Sequence, residues 1–371
     1  MSSDLARAQH ALGLDFLGQG QPEKGIAAFR EAIRLMPDYV DALYDLAFAL
    51  QDIGQPQEAI DAYRDLLRVV PDFAEAQGSL GVLYGQLGDS QAALRHLREA
   101  VRLKPDSFES RVNLGHALAA DGSLEEALNE FRAAVRLRPD AAAGAGNLGA
   151  VLGELGRWEE ASDWHRKAME LDPADSTYPR NLGVALCELG RDGEAIELFR
   201  RAVSADPTDA DALARMGSCL SAVGRDHEAV EALLEANRLN PGDGETLSLL
   251  GLSLVRVGRE REARPLLAKA VQLSPESSIV WGNTSLAYAE RGHVDEAVEA
   301  ARRGADLARG EAAPQITLAM VLARAERWSE SMAAFEEGLG LDPGYLEKVQ
   351  DARAAFEHCR TMLSDTAGDG R

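Results

Sequence analysis

Large and small apolar residues recur along this chain in a fixed pattern 34 residues long. Ten units can be numbered from residue 6: 6–39, 40–73, 74–107, 108–141, 142–175, 176–209, 210–243, 244–277, 278–311 and 312–345. Position 7 of the unit is large and apolar in nine of the ten, from Leu12 to Leu318, with Thr284 the exception. Position 8 is always small, being Gly13, Ala47, Gly81, Gly115, Gly149, Gly183, Gly217, Gly251, Ser285 and Ala319. Position 20 is small throughout, as at Ala59, Ala93, Ala127 and Ala161. Position 24 is bulky and apolar in eight units, including Phe29, Tyr63, Phe131, Phe199 and Phe335. A large knob beside a small hole is how two helices interlock. Each unit therefore predicts a helix hairpin, helix A followed by helix B.

Glycine and proline punctuate the same period. Gly20, Gly54, Gly88, Gly122, Gly156, Gly190, Gly224, Gly258 and Gly292 stand where helix A should end, the series failing only at Glu326. Glycine there can take the left-handed conformation that closes a helix. Pro37, Pro71, Pro105, Pro139, Pro173, Pro207, Pro241, Pro275 and Pro343 stop helix B, with Arg309 the single break. No hairpin buries its apolar face alone, so neighbours must stack. The fold class predicted is all-α, about ten tandem helix hairpins. Residues 1–5 form a lead-in. Leu346, Val349, Phe356, Cys359 and Leu363 at helical spacing predict a capping helix over 346–364, and 365–371 a disordered tail. Repeat 9, with Thr284, Ala301, Gly304 and no closing proline, is the weakest, and a flexible seam is expected near 304–314.

The spaced signature Leu114-Gly115, Ala127, Phe131, Pro139, repeated as Leu182-Gly183, Ala195, Phe199, Pro207, resembles the tetratricopeptide repeat (TPR) family over residues 6–345. The family tryptophan at position 4 is matched only by Trp281. The resemblance implies a right-handed superhelical solenoid that binds other proteins in a concave groove lined by helix A at positions 2, 5, 6, 9, 12 and 13. Carried over, position 6 gives Asn113, Asn147, Asn181 and Asn283, position 9 gives His116, and positions 5 and 6 of successive repeats give Arg180 and Arg215. The asparagines are similar to the ladder in the TPR arm of O-linked N-acetylglucosamine transferases. An amide offers both donor and acceptor to an extended peptide backbone. The alternative is that these asparagines bond only their neighbours along the stack. Arg180 and Arg215 could hold a carboxylate, or Asp211 could pair with Arg215 along its helix. Tyr44 and Phe48 are the candidate aromatic anchors. The Lys and Asn that chaperone-tail clamps of the family carry at positions 5 and 9 are not phased here.

Composition narrows the partners. The formal charge is −22 without a basic run, which disfavours nucleic acid and anionic membrane and leaves protein segments, basic ones included, as expected ligands. Cys187, Cys219 and Cys359 form no CxxC pair, so reduced thiols and a cytoplasmic setting are expected. The opening residues carry neither a basic nor an apolar leader segment, so no signal peptide is expected, and no apolar run is long enough to span a bilayer. GAGNLG at 144–149 matches a dinucleotide fingerprint but falls inside a predicted helix A. The seven histidines form no metal pair, and His165 at position 24 reads as a partly buried structural residue. Repeats fill the chain, so no enzyme activity, metal or cofactor is expected. Three functions stay open: an adaptor binding a peptide segment, a self-associating scaffold, or a regulatory arm for a separately encoded enzyme such as a transferase.

Overall fold

The computed structural model describes residues 2–368, and every regular element among them is a helix. The chain divides into two compact units, Met1–Arg157 and Trp158–Arg371. Unit 1 holds α1 (Ser2–Gly18), α2 (Pro22–Leu35), α3 (Val40–Asp52), α4 (Pro56–Val69), α5 (Ala74–Gln86), α6 (Ser90–Leu103), α7 (Phe108–Ala120), α8 (Leu124–Leu137) and α9 (Ala142–Glu154). Unit 2 holds α10 (Trp158–Leu171), α11 (Thr177–Glu188), α12 (Asp192–Ala205), α13 (Ala210–Ala222), α14 (Asp226–Leu239), α15 (Gly244–Arg256), α16 (Glu260–Leu273), α17 (Ser278–Glu290), α18 (Val294–Leu307), α19 (Ala312–Arg324), α20 (Trp328–Leu341), α21 (Tyr345–Lys348) and α22 (Gln350–Gly368). Within each unit, an A helix packs on its own B helix where both lie in that unit, as α1 on α2 and α11 on α12, and each B helix packs on the next A helix, as α8 on α9 and α10 on α11.

The knob and the hole meet as the pattern predicts. A Cβ placed on Gly13 would lie 2.4 Å from the Phe29 ring, and one on Gly115 2.7 Å from Phe131. On Gly217 and Gly251 it would lie 2.5 and 2.6 Å from Leu233 and Leu267. These separations are far below van der Waals contact, so the helices approach only because position 8 carries no bulk. Phe29, Tyr63, Phe131, Phe199 and Phe335 are all fully buried. The nine periodic glycines all adopt left-handed φ, between 69° and 81°, and Glu326 is forced into the same conformation at φ 56°. Each periodic proline sits just past helix B, as Pro241 follows Leu239 by two residues.

The carboxy-terminal cap forms in two pieces, broken at Val349. Helix α22 seals the last hairpin: Phe356 lies edge-on to Phe335 at 5.3 Å, and the Cys359 thiol reaches the Trp328 carbonyl at 3.2 Å. That helix runs to Gly368, through most of the stretch predicted as a disordered tail, and residues 369–371 lie outside the described part. In repeat 9, α18 is continuous to Leu307 and Gly304 is buried against the Ser278 carbonyl and Trp281.

Two stability outcomes follow from this packing. Leu182→Ala removes a fully buried side chain and is expected to cost about 2–5 kcal/mol in urea unfolding; an unchanged midpoint would refute the repeat register. Glu326→Gly relieves a left-handed non-glycine residue and is expected to gain about 1 kcal/mol in the same assay.

Candidate functional site

The helix A face supplies the candidate residues of both units. In unit 1, α3 carries Tyr44 and Phe48, α7 carries Asn113 and His116, and α9 carries Asn147. Tyr44 stacks on Phe48 at 6.4 Å and packs edge-on to Tyr63 and obliquely on Phe73. Burial pushes the Tyr44 phenol up, with the Glu75 and Asp45 carboxylates adding to the shift. Phe48 instead leaves half its surface, 53%, to solvent. His116 is exposed, its ring edge-on to Phe131 at 5.3 Å. Asn113 and Asn147 are half-buried, and neither amide makes a hydrogen bond to a described residue. Both also escape full burial, so the amides keep access to solvent or ligand.

Unit 2 treats its candidates differently. Asn181 on α11 is likewise half-buried without a partner among the described residues. Asn283 on α17 donates to the Ser248 hydroxyl on α15 at 3.0 Å, a bond along the stack. Beside it Gly282 and Gly304 help open a cavity of about 160 Å³. Arg180 on α11 is held by Asp209 at 3.2 Å, and Arg215 on α13 by Asp211 at 3.0 Å, so both guanidiniums are already matched.

Three features escaped the sequence reading. First, His10 on α1 bridges to α3: its Nε2 lies 2.6 Å from Asp45, and the Tyr39 hydroxyl lies 3.2 Å from its Nδ1. Second, arginine at position 25 pairs with glutamate at position 19 of the next repeat, as in Arg30–Glu58, Arg98–Glu126, Arg200–Glu228 and Arg302–Glu330. These pairs tie successive B helices, and phased charge at those two positions was the signal that could have found them. Third, Cys187 on α11 and Cys219 on α13 are joined as a disulfide with their Cα atoms 7.0 Å apart. This corrects the expectation of three reduced thiols. The two lie 32 residues apart, close to one repeat, because successive A helices run side by side. Only Cys359 is free among the described cysteines, and it is buried. Asp192, in the first turn of α12, places its carboxylate against the same sulfur pair, and burial raises its carboxyl.

The GAGNLG stretch lies inside α9, without the preceding strand of a dinucleotide-binding turn. His165 is buried, 4% exposed, and its Nδ1 has no hydrogen-bond partner.

An array of interlocked helix hairpins repeating every 34 residues, without a strand among the described residues, is a helical repeat protein. Profiles described as tetratricopeptide repeat match residues 16–83, 80–142, 140–208, 186–252 and 248–314. The chain belongs to the tetratricopeptide repeat family. Among solved structures, the fold is similar to that of Pseudomonas aeruginosa pilF, at 23% identity and a TM-score of 0.51, over 56% of this chain and 94% of that one. A tetratricopeptide repeat protein of Parabacteroides merdae aligns at 15% identity and a TM-score of 0.52, over 68% of this chain and 99% of that one. Comparison with curated proteins gives no match. No helix among the described residues is long and apolar enough to cross a membrane.

His165 generates a pH prediction. Desolvation lowers its pKa from 6.5 to about 4, so the folded chain keeps the ring neutral where the unfolded chain protonates it. Between those values the unfolded state binds more protons, and stability falls as pH drops from 6.5 toward 4. At pH 5.5 the loss is about 1.4 kcal/mol relative to pH 7.5. His165→Phe should abolish that contribution, so its stability gain over wild type grows by about 1.4 kcal/mol between pH 7.5 and 5.5 in urea titrations. A gain identical at both pH values would show that the ring does not titrate with unfolding.

Proposed function

We propose that this chain is an adaptor that binds an extended segment of a partner protein on its helix A face. Tetratricopeptide repeats generally mediate protein–protein interaction, and the observation that carries this reading is the pair Asn113 and Asn147. They occupy the same position of adjacent repeats in unit 1, and their amides have no partner among the described residues. Ala150, small and exposed on the same helix, adds little bulk near Asn147, so a peptide backbone can come within hydrogen-bond distance. Each such bond contributes about 0.5–1.5 kcal/mol, which makes binding tolerant of ligand sequence. Phe48, exposed beside the half-buried Tyr44, supplies an apolar anchor at the amino-terminal end of the same unit. The excess of carboxylates favours basic segments over acidic ones.

The test is a screen of immobilised extended peptides, graded from basic to acidic, against wild type and an Asn113→Ala, Asn147→Ala double variant. Wild type should favour the basic members, and the double variant should bind at least tenfold more weakly with unchanged unfolding. Equal binding by both proteins would remove the asparagines from the site. Retention of the chain by its own immobilised copies alone would replace the adaptor with a self-associating scaffold.

A further inference from the structure

Among the described residues, one group of three potential metal ligands converges: the Cys187 and Cys219 sulfurs and an Asp192 carboxylate oxygen, all within 4.8 Å of one another. We propose that, once the disulfide is reduced, these three residues form a binding site for a thiophilic divalent cation of the zinc type.

The placement follows from the repeat. Cys187 stands at position 12 of one A helix and Cys219 at position 10 of the next, while Asp192 opens the B helix between them. Three helices of two adjacent repeats thus each supply one ligand. Tetrahedral ligands at 2.0–2.3 Å from an ion sit about 3.3–3.8 Å apart, so shifts on the order of an ångström would close the site. Two thiolates and a carboxylate suit zinc, whereas magnesium and calcium take oxygen ligands. Cys219 is buried, while Cys187 and Asp192 keep partial access, which leaves a fourth position for water and an entry path.

The state of Asp192 distinguishes it from its equivalent one repeat on. Asp226, at the same position, is engaged by the Arg256 guanidinium at 3.6 Å and by the Ser221 hydroxyl at 3.2 Å. The residue corresponding to Arg256 in the preceding repeat is Ala222, and no described cation pairs with Asp192. A half-buried carboxylate without a counter-ion beside two sulfurs is matched by a cation.

The chemistry balances as follows. A small dithiol reductant delivers two electrons to the Cys187–Cys219 bond, which breaks to two thiols while the reductant leaves as its own disulfide. The cation then displaces the two thiol protons, forming two metal–sulfur bonds and one metal–oxygen bond. Disulfide and bound cation are mutually exclusive states that each cross-link the same two repeats.

The experiment titrates cobalt(II) into the full chain after reduction and removal of the reductant. One equivalent should develop thiolate-to-cobalt charge-transfer absorption with tetrahedral ligand-field bands, and zinc should displace it. The oxidised chain should give no such bands. Cys187→Ser and Cys219→Ser should each abolish the charge-transfer signal or weaken binding at least a hundredfold, and Cys359→Ser should leave it unchanged. Asp192→Asn, which preserves the fold and both thiols, should weaken binding at least tenfold. The proposal is overturned by a reduced chain without charge-transfer absorption, or by an Asp192→Asn variant of wild-type affinity. Absorption that persists when both cysteines are replaced by serine would overturn it as well.

Discussion

The close approach of helices A and B through the position 8 hole is the constraint on which the rest depends. With Phe29 filling the space beside Gly13, and Leu233 that beside Gly217, the two axes cannot separate or slide without opening a void or a clash. That fixes each hairpin as a rigid block, and a rigid block can stack on its neighbour in only one register. The register then decides which residues distant in sequence become neighbours. Successive A helices bring together residues 35 apart, as in His10 with Asp45 and Ser248 with Asn283. Successive B helices bring together residues 28 apart, as in Arg30 with Glu58. The exposed charge pairs on the B face contribute little each, being screened by water. The stack is held mainly by apolar contact, and the charges favour the correct stagger.

Departures from the pattern coincide with chemistry that the repeats do not need. Position 24 carries a histidine at His165, which leaves a buried ring nitrogen without a partner. In repeat 9 the same position is Ala301 and position 7 is Thr284, whose hydroxyl is also buried without a partner. Gly304 compensates for the missing knob by letting α18 settle against the backbone of α17. The left-handed glycine series fails at Glu326, which pays the conformational cost in place. An array tolerates such local weakness because each repeat leans on its neighbours rather than on a single centre.

Periodic features were legible from the chain, and features that depend on pairing were not. The hairpins, the left-handed glycines, the stop at each proline and the sealing helix around Phe356 all rest on residues whose role is local or repeats every 34 positions. Burial of His165 was legible too, since it replaces Phe or Leu at a core position. The Cys187–Cys219 pair was not, because its two members occupy different positions of the repeat, and a search in phase passes over them. The extent of α22 was misread because small and acidic residues near its end suggested a tail, yet the helix continues to Gly368.

The candidate asparagines show how the same residue at the same position acquires different roles. The relation that joins position 5 of one repeat to position 6 of the next gives each asparagine a neighbour 35 residues earlier. For Asn283 that neighbour is Ser248, whose hydroxyl accepts its amide hydrogen. For Asn113 and Asn147 the corresponding residues are Gly78 and Val112, which have no polar side chain to offer. The same relation sets Arg180 against Arg215, two like charges, and each turns instead to an aspartate, Asp209 and Asp211. A free amide at position 6 is thus a consequence of an apolar residue at the preceding position 5. The stack satisfies Asn283 internally and offers Asn113 and Asn147 no polar neighbour of that kind, so the same residue at the same position is bonded in one repeat and open in two others.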